Sequence, residues 1–247
     1  MLKNASPARH YDITILSRAI AGEQQRIMRE FFAQFQNASL RFYDVTRLVD
    51  SYDLTTNNAH IGAETYYRFI IQDAMPFYDK VLYLDSDLII EGDVTELYDT
   101  DLGENLIGAV RDIDFLGNLN MKDGARLKYA RQVLNMSNPY DYFQAGVLVL
   151  NTRGLRSHVP VKQWLTVATE TKYIYNDQDI LNEYCQGKVL YLDASWNVMN
   201  DCGGRIAKVF TFAPGPVFDE FSAARTRERV IHYAGFEKPQ TRARQTR

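Results

Sequence analysis

Several features that would assign the chain to a membrane, secreted or zinc-binding class are missing from its sequence. Among its 247 residues are only two cysteines, Cys185 and Cys202, which lie far apart and lack the spacing of a zinc site. Such isolated thiols are typical of a cytosolic protein. No apolar run approaches the roughly 18 residues of a membrane-spanning helix, and the first residues lack the apolar segment of a signal peptide. We therefore expect a cytoplasmic protein, with peripheral contact to the inner face of the plasma membrane as the alternative.

An excess of positive charge is also missing. The formal net charge is −3 at pH 7, so we do not expect a general electrostatic attraction to nucleic acid. Aromatic residues, by contrast, are plentiful: 16 Tyr and 13 Phe suit a core with polar edges or a site lined by rings. The apolar fraction of 46% and the charged fraction of 24% indicate an ordinary globular protein.

Apolar runs alternate with helical patterns along the chain, which predicts an α/β fold with a mixed, mainly parallel sheet flanked by helices. No internal repeat or low-complexity linker divides the sequence, so we expect a single domain over residues 1–239, followed by a basic C-terminal tail at residues 240–247. The predicted strands are residues 11–16, 40–45, 81–84, 107–110, 146–150 and 189–192. The predicted helices are residues 23–35, 64–74, 161–171 and 178–185.

Two carboxylates, Asp85 and Asp87, directly follow the short apolar run at residues 81–84. In open α/β sheets, ligands bind at the carboxyl ends of the strands, and side chains two residues apart on an extended segment point the same way. Carboxylate oxygens suit a cation such as Mn²⁺ or Mg²⁺, which can also hold a diphosphate. The pair therefore indicates a metal site. The alternative is a turn in which these side chains cap the next element.

Three further segments place polar or small residues next to apolar runs. Gly146 begins a buried strand and would let a ligand approach the backbone, with tight strand packing as the alternative. Asp177 and Asp179 stand at a helix start, where they would bind a ligand or serve as the N-cap and as a complement to the helix dipole. His232 follows an apolar pair and, taken alone, is more typical of a hydrogen-bonded structural residue than of a ligand.

Together and in this order, these segments resemble those of the retaining glycosyltransferases of family 8, which include bacterial lipopolysaccharide galactosyl- and glucosyltransferases and the glycogenins. The resemblance spans nearly the whole chain. It implies a GT-A fold, a Rossmann-like single domain that binds a UDP-sugar and Mn²⁺. The matching segments are Tyr66-Tyr67-Arg68, Asp85-Ser86-Asp87, residues 143–151, residues 177–182, Trp196-Asn197-Val198, His232-Tyr233-Ala234-Gly235 and Lys238-Pro239.

The resemblance implies a role for each matching position. Asp85, Asp87 and His232 would coordinate Mn²⁺ or Mg²⁺, which bridges both phosphates of the UDP-sugar. Asp177 and Gln178 would be the catalytic residues, with Gln178 beneath the anomeric carbon. Because an amide is a poor nucleophile, we favour front-face displacement over a covalent intermediate.

The resemblance also implies contacts with the rest of the donor. Lys238 would pair with the diphosphate, and Gly235 would let the backbone approach it. Arg68, together with Asp177 and Gln178, would contact the donor sugar. The other positions implied to line the donor site are Ser86, Gln144, Ala145 and Gly146.

The implied activity is transfer of a hexose from UDP-galactose or UDP-glucose to a cell-envelope glycan or lipid-linked acceptor. The polar segment at residues 112–138 is irregular in pattern and is the candidate acceptor-facing loop, with a solvated surface excursion as the alternative. Two other functions stay open. One is a nucleotidyltransferase that uses Asp85 and Asp87 on a nucleoside triphosphate, although no glycine-rich phosphate loop is present. The other is a non-catalytic scaffold or binding protein of the same fold.

Three departures from the family pattern carry expectations of their own. Family members begin with a strand and an acidic turn that hold uracil and ribose, and this unit has no counterpart ahead of residues 4–7. We therefore expect an N-terminally incomplete domain, from a fragment or a start codon placed too late, with weakened UDP binding. Gln144 replaces the usual Asn, and its longer side chain would alter which donor hydroxyls are bonded. Gln240 replaces the Trp that commonly follows Lys-Pro.

Overall fold

The computed structural model describes residues 1–57, 62–236 and 238. The strands within these ranges are β1 Tyr11–Ser17, β2 Ala38–Asp44, β3 Val81–Leu84, β4 Leu88–Ile90, β5 Ile107–Arg111, β6 Phe143–Leu150, β7 Val189–Tyr191, β8 Val198–Met199 and β9 Val230–His232. The α-helices are α1 Gly22–Phe32, α2 Thr46–Val49, α3 Ile71–Ala74, α4 Thr95–Tyr98, α5 Ile113–Leu119, α6 Ala125–Gln132, α7 Thr152–His158, α8 Val161–Val167, α9 Asp177–Tyr184, α10 Arg205–Lys208 and α11 Gly215–Ala224. Short 3-10 helices cover Leu2–Asn4, Ala63–Ile70, Pro139–Asp141, Ala194–Asn197, Cys202–Gly204 and Phe210–Phe212.

A four-stranded sheet of order β3-β6-β5-β7 lies at the centre of the fold. Every residue of β6 is buried, because this strand is paired on both edges and is apolar on both faces. It runs antiparallel to β3 and β5, whereas β5 runs parallel to β7. A parallel pair, β1-β2, and a three-stranded sheet of order β4-β9-β8 complete the strand pairing of the described residues.

The α/β class, the mixed sheet with flanking helices and the single domain are confirmed. The expectation of a mainly parallel arrangement is wrong for the described strands, of which three pairs are parallel and three antiparallel. The physical reason is that a continuous apolar run reports burial on both faces of a strand, whereas strand direction depends on the path of the connections.

The segment at residues 112–138 is not an irregular loop, and that prediction is wrong. It contains α5 and α6, and the side chain of Asp112 caps α5 by accepting a hydrogen bond of 2.9 Å from the backbone N–H of Phe115. Phe115, Leu116 and Leu119 are buried at helical spacing. Gly117 packs so tightly that a Cβ there would lie 2.2 Å from the carbonyl oxygen of Val209. The polar and glycine residues of this segment are typical of a loop, and for that reason the short amphipathic helix α5 was not predicted.

Three other helices differ from their predicted form. Helix α8 ends at Val167 rather than at residue 171. The segment predicted as one helix over residues 64–74 is a 3-10 helix, Ala63–Ile70, that continues into α3. Helix α1 is confirmed but ends at Phe32, and none of its residues is buried. Its apolar face is open, with Ile27 53% and Phe31 57% exposed. Within the described ranges, no helix combines the length and the apolar character that crossing a membrane requires.

The carboxyl end of β3 is where the chain gathers its polar residues. Because β6 is antiparallel to β3, its first residues lie beside the last residues of β3, and the N–H of Asp85 donates to the carbonyl of Gly146 at 2.8 Å. The pairing of β4 with β9 sets His232 opposite Leu88. Strand ends that are far apart in sequence therefore meet at one edge of the fold.

Candidate functional site

The carboxylates of Asp85 and Asp87 lie beside the imidazole of His232. Nε2 of His232 is 3.8 Å from Oδ2 of Asp85 and 3.4 Å from Oδ1 of Asp87. One ligand atom from each residue lies within 4.8 Å of the other two. Residues 85–87 form the link between β3 and β4, partly as a turn, yet both carboxylates face the histidine. We call these three residues the cation triad, since carboxylate oxygens and an imidazole nitrogen suit Mn²⁺ or Mg²⁺.

The backbone at Gly146 makes room for the cation triad. A Cβ at this position would lie 2.3 Å from Cε1 of His232 and 2.8 Å from Oδ2 of Asp85. No other residue type fits there without displacing two of the three candidate ligands. On its far side, the buried imidazole bonds through Nδ1 to Oδ1 of Asn197 at 2.8 Å, so Nε2 is the nitrogen that faces the carboxylates.

Two cationic or ionisable groups hold Asp87 in its charged form. Nζ of Lys238 donates to Oδ2 of Asp87 at 2.5 Å and to the carbonyl oxygen of Tyr233 at 2.6 Å. Burial alone would raise the pKa of Asp87, but hydrogen bonding and charge from Lys238, and from His232 when its imidazole is protonated, lower it to about 2. Asp87 is therefore an anion throughout the neutral range, as a metal ligand must be.

The guanidinium of Arg68 is buried at the centre of the site. It lies 3.1 Å from Oδ1 of Asp85 and 2.9 Å from Oδ2 of Asp177, and it donates to the carbonyl of Ala145 at 2.5 Å. The ring of Tyr83 lies 4.4 Å away. Burial alone would lower the pKa of Arg68, but the negative charges of Asp177 and Asp85 raise it. Arg68 is thus a permanent cation that joins the cation triad to the start of α9.

The amide of Gln178 is fixed at both ends. Its Oε1 accepts from the backbone N–H of Ala145 at 3.0 Å. Its Nε2 donates to Oδ2 of Asp112 at 2.8 Å and to the hydroxyl of Tyr142 at 3.2 Å. These partners determine which end of the amide carries oxygen, so Gln178 is held in one orientation.

Two buried carboxyls near Gln178 have pKa values raised toward neutrality. Burial raises the pKa of Asp112 to about 6, and the charge of Asp114 adds to the effect. Burial also raises the pKa of Asp177 to about 6, although the charge of Arg68 and a hydrogen bond from Thr65 act in the opposite direction. Both groups therefore titrate just below neutral pH.

Helix α9 begins directly at the site. Asn176 is its N-cap residue and adopts φ 51° and ψ −120°, a conformation that is uncommon for any residue except glycine. Its side-chain oxygen accepts from the backbone N–H of Asn57 at 3.0 Å. The alternative in which Asp177 caps the helix is therefore wrong: Asp177 is the first helical residue, and its carboxylate pairs with Arg68.

A cleft of about 1430 Å³ brings together the residues predicted to bind the metal, bind the donor or act in catalysis, and Asp112 and Asp114 also line it. The role of each stays a prediction. Asp179 is not among the lining residues: its buried carboxylate accepts hydrogen bonds from the hydroxyls of Tyr129 and Tyr142. Pro239, the basic tail at residues 240–247 and the departure at Gln240 lie outside the described residues. The predicted residues that line the cleft are Arg68, Asp85, Ser86, Asp87, Gln144, Ala145, Gly146, Asp177, Gln178, His232, Gly235 and Lys238.

Three side chains without a predicted role form hydrogen bonds with the side chain of His232 or Gln178. Asn197 belongs to the matched segment at residues 196–198, and that match was the one sequence signal that pointed to it. Tyr142 and Asp112 reach Gln178 across 36 and 66 positions of the chain. Contacts between residues so far apart in the chain leave no pattern in the local sequence, so the roles of Tyr142 and Asp112 could not be predicted.

Known proteins resemble the chain over nearly its full length. A family model described as "Glycosyl transferase family 8" matches residues 1–242. The WbbM bifunctional glycosyltransferase, solved in its apo form, aligns with a TM-score of 0.84 and 33% identity over 96% of this chain and 42% of that one. The galactosyltransferase LgtC, solved with donor and acceptor sugar analogues, aligns with a TM-score of 0.74 and 27% identity over 96% of this chain and 81% of that one.

One similar curated protein is the lipopolysaccharide 1,3-galactosyltransferase of Salmonella typhimurium. It is 28% identical over 141 residues, which are 54% of this chain and 39% of that protein. The chain spans about half the length of other curated relatives that it matches.

Proposed function

The chain belongs to glycosyl transferase family 8, and on that premise we propose that it transfers a hexose, galactose or glucose, from a UDP-sugar to a cell-envelope glycan or lipid-linked acceptor with retention of anomeric configuration. The observation that carries this proposal is the cation triad of Asp85, Asp87 and His232 in the main cleft, with Lys238 on Asp87. A diphosphate leaving group needs a concentration of positive charge at one place, and this is where the cleft can supply it.

The donor set of the cation triad fits Mn²⁺ or Mg²⁺. It offers two carboxylates and one imidazole nitrogen, and Gly146 leaves the space between them clear. When bound, the cation would neutralise charge that develops on the phosphate oxygens of departing UDP. Asp87 is already ionised because its pKa is lowered to about 2, so binding the cation need not displace a proton from it.

Lys238 is the proposed partner of the diphosphate. Its ammonium lies at Asp87, so it stands at the rim of the cation triad, where a diphosphate held by the cation would arrive. The charge of Lys238 can then be shared between Asp87 and a phosphate oxygen. Gly235 also lines the cleft and would let the backbone approach the phosphates.

Arg68, Asp177 and Gln178 are the proposed contacts of the donor sugar. Arg68 and Asp177 are paired and buried, so the sugar would meet a fixed arrangement of donors and acceptors that costs little to order. Asp177 also places a carboxylate near the sugar, which would favour an oxocarbenium-like transition state.

The fixed amide of Gln178 favours front-face displacement. Its oxygen is committed to the N–H of Ala145 and its nitrogen donates to Asp112, and an amide has little basicity as a nucleophile. In the proposed step the bond between the anomeric carbon and the UDP oxygen breaks. The acceptor hydroxyl oxygen bonds to that carbon on the same face, and its proton passes to the departing phosphate. A glycosyl adduct on Asp177 or Gln178, found by mass spectrometry of the intact protein, would contradict this step.

The acceptor class rests on relatives. The Salmonella typhimurium relative is named as a lipopolysaccharide galactosyltransferase, which supports a cell-envelope glycan or lipid-linked acceptor and a hexose as the transferred group. The chain spans only part of that protein, so the acceptor class stated for this chain is part of the proposal.

Isothermal titration of UDP into the folded chain, with and without Mn²⁺, tests the proposal. We expect binding that requires Mn²⁺ and that is lost in Asp87→Ala, which removes one member of the cation triad. The matched control is Asp219→Asn, which removes an exposed carboxylate on α11 and should leave UDP binding unchanged.

Other outcomes would contradict the proposal in different ways. UDP binding that ignores both Mn²⁺ and Asp87→Ala would place the nucleotide outside the cation triad. Absence of any UDP binding by the folded native chain would favour the non-catalytic scaffold of the same fold.

A further inference from the structure

We propose that Gln144 and Asn197 are positioning residues that hold His232 in the tautomer with a proton on Nδ1, so that the lone pair of Nε2 points at Asp85 and Asp87. This inference rests on the proposed function, because it gives the tautomer a purpose in binding the cation. It also gives a role to Gln144, for which the family resemblance implies only a contact with the donor sugar.

A backbone group fixes the direction of these hydrogen bonds. The N–H of Gly146 can only donate, and it lies 2.5 Å from the side-chain amide of Gln144. The atom of Gln144 that faces it must therefore be the oxygen, Oε1. That same oxygen lies 2.6 Å from the side-chain amide of Asn197. Because Oε1 of Gln144 can only accept, Asn197 must present its NH₂ group to it.

The orientation of Asn197 then determines the histidine. With Nδ2 committed to Gln144, the oxygen of Asn197 faces the ring, and it lies 2.8 Å from Nδ1 of His232. An amide oxygen only accepts, so Nδ1 must carry a proton. In a neutral imidazole Nε2 is then unprotonated, and this is the nitrogen that lies 3.4 Å from Oδ1 of Asp87. We call this series of hydrogen bonds the relay. It starts at the N–H of Gly146, passes through Gln144 and Asn197, and ends at Nδ1 of His232 in the cation triad.

Burial makes one orientation of the two amides strongly favoured. Gln144, Asn197 and His232 are only 8%, 4% and 1% exposed, so water has little opportunity to replace a partner that turns away. The three residues come from different elements: Gln144 from β6, Asn197 from the end of the 3-10 helix Ala194–Asn197, and His232 from β9. A wrong orientation of either amide would leave two buried donors or two buried acceptors facing each other, which is unfavourable.

Gly146 connects the relay to the shape of the site. Its N–H starts the chain of hydrogen bonds, and its missing Cβ leaves the space in which Cε1 of His232 lies. The same backbone position therefore sets both the place and the protonation pattern of the imidazole. Partners of this kind, outside the ligands themselves, orient metal-binding histidines and strengthen them as ligands.

The tautomer can be read directly in the native, metal-free chain. The sequence has only four histidines, so a ¹⁵N-labelled sample recorded at mildly alkaline pH should resolve the ring nitrogens, with His232→Gln used for assignment. We expect a protonated Nδ1 and an unprotonated Nε2 for His232. An unprotonated Nδ1, with the proton on Nε2 instead, would overturn the proposal without the need for any variant of the relay.

Variants of the relay test its effect on metal affinity. In Asn197→Leu the ring loses its acceptor, and Mn²⁺ affinity, measured by electron paramagnetic resonance, should fall about 10- to 100-fold. Gln144→Leu frees the amide of Asn197 to turn, so a mixture of tautomers and a smaller loss are expected. Gln144→Glu keeps an oxygen toward both donors and should retain the native tautomer. The control Gln72→Leu removes an equally buried amide that bonds to the carbonyl of Val159 and should change neither readout.

The outcomes separate this inference from the proposed function. Native tautomer and native affinity in both leucine variants would overturn the relay while leaving the cation triad intact. Failure of the native chain to bind Mn²⁺ would overturn the proposed function and, with it, the purpose of the relay. Thermal unfolding of each variant establishes that a loss of affinity is measured on folded protein.

Discussion

The ammonium of Lys238 lies 2.5 Å from a carboxylate oxygen of Asp87, although the two residues are 151 positions apart in the chain. The contact means that one member of the cation triad is already paired with a cation before any metal arrives. It links the two parts of the proposed mechanism, because a metal must share Asp87 with Lys238 while a diphosphate would draw Lys238 toward itself.

Replacing Lys238 should therefore change two affinities in opposite directions. In Lys238→Gln, binding of Mn²⁺ alone should tighten by about 1 kcal/mol, roughly fivefold, because a like charge leaves the site. Binding of UDP in the presence of Mn²⁺ should weaken by a similar factor, because the diphosphate loses its partner. Titration calorimetry of each ligand measures both. A parallel change in the two affinities would contradict a direct role of Lys238 with the phosphates.

Replacing Gly146 should damage the cation triad more than the fold. In Gly146→Ala the new Cβ would lie 2.3 Å from His232 and 2.8 Å from Asp85, so both side chains must move. We expect Mn²⁺ binding to weaken by at least about tenfold, with a stability loss of about 1–3 kcal/mol from overpacking. Gly215→Ala, where a Cβ would meet nothing within 4 Å, is the matched control. Native Mn²⁺ affinity in Gly146→Ala would contradict the placement of the triad.

The buried pair of Arg68 and Asp177 should show strong coupling. Arg68→Met leaves Asp177 buried without its cation and should lower the free energy of unfolding by about 3–5 kcal/mol. Asp177→Asn should cost less, and the double variant should cost clearly less than the sum of the two. Urea unfolding of the four chains gives the coupling energy. Additivity within about 0.5 kcal/mol would contradict a direct interaction.

The pH dependence of stability should report on Asp112. Its pKa is about 6 in the folded chain against an ordinary 3.8, so the folded state holds a proton that the unfolded state releases first. The free energy of unfolding should therefore fall as pH rises from about 4 to above 6, by up to about 3 kcal/mol from this group.

Asp112→Asn isolates that contribution. The substitution weakens the hydrogen bonds of residue 112 at every pH, which lowers the free energy of unfolding by a constant amount. The asparagine cannot ionise, so the variant should lack the fall in stability that Asp112 causes between about pH 4 and about pH 6. Asp177, whose pKa is also raised, contributes equally to the pH dependence of stability in the native and variant chains. Urea unfolding with a metal chelator across this pH range makes the comparison. Parallel curves for the native and variant chains would contradict the raised pKa of Asp112.

Much of the site could be predicted because its chemistry lies in compact motifs. Val81–Leu84 was predicted with its observed bounds, since four consecutive apolar residues bounded by polar ones define a buried strand. The carboxylates that follow it, Asp85 and Asp87, carry the metal hypothesis by their type and spacing alone. His232 joined them only through the family resemblance, because nothing local to it distinguishes a ligand from a structural histidine.

Other features could not be read from the sequence because they depend on distant contacts. The antiparallel direction of β6 is set by the path of the chain rather than by its apolar run. The buried face of α5 was concealed by polar residues, some of which line the cleft. The orientation of Asn197, at the end of a 3-10 helix, depends on Gln144, which comes from β6. Sequence patterns identify candidate ligands, whereas their orientation is a property of packing.

The most direct test of the account is an anomalous difference map, recorded near the manganese absorption edge, from crystals of the chain grown with Mn²⁺ and UDP. The expected result is one strong peak bonded to a carboxylate oxygen of Asp85, a carboxylate oxygen of Asp87 and Nε2 of His232, with phosphate oxygens of UDP completing the shell. Bound UDP with no peak between these three residues, or a peak coordinated elsewhere in the chain, would contradict it.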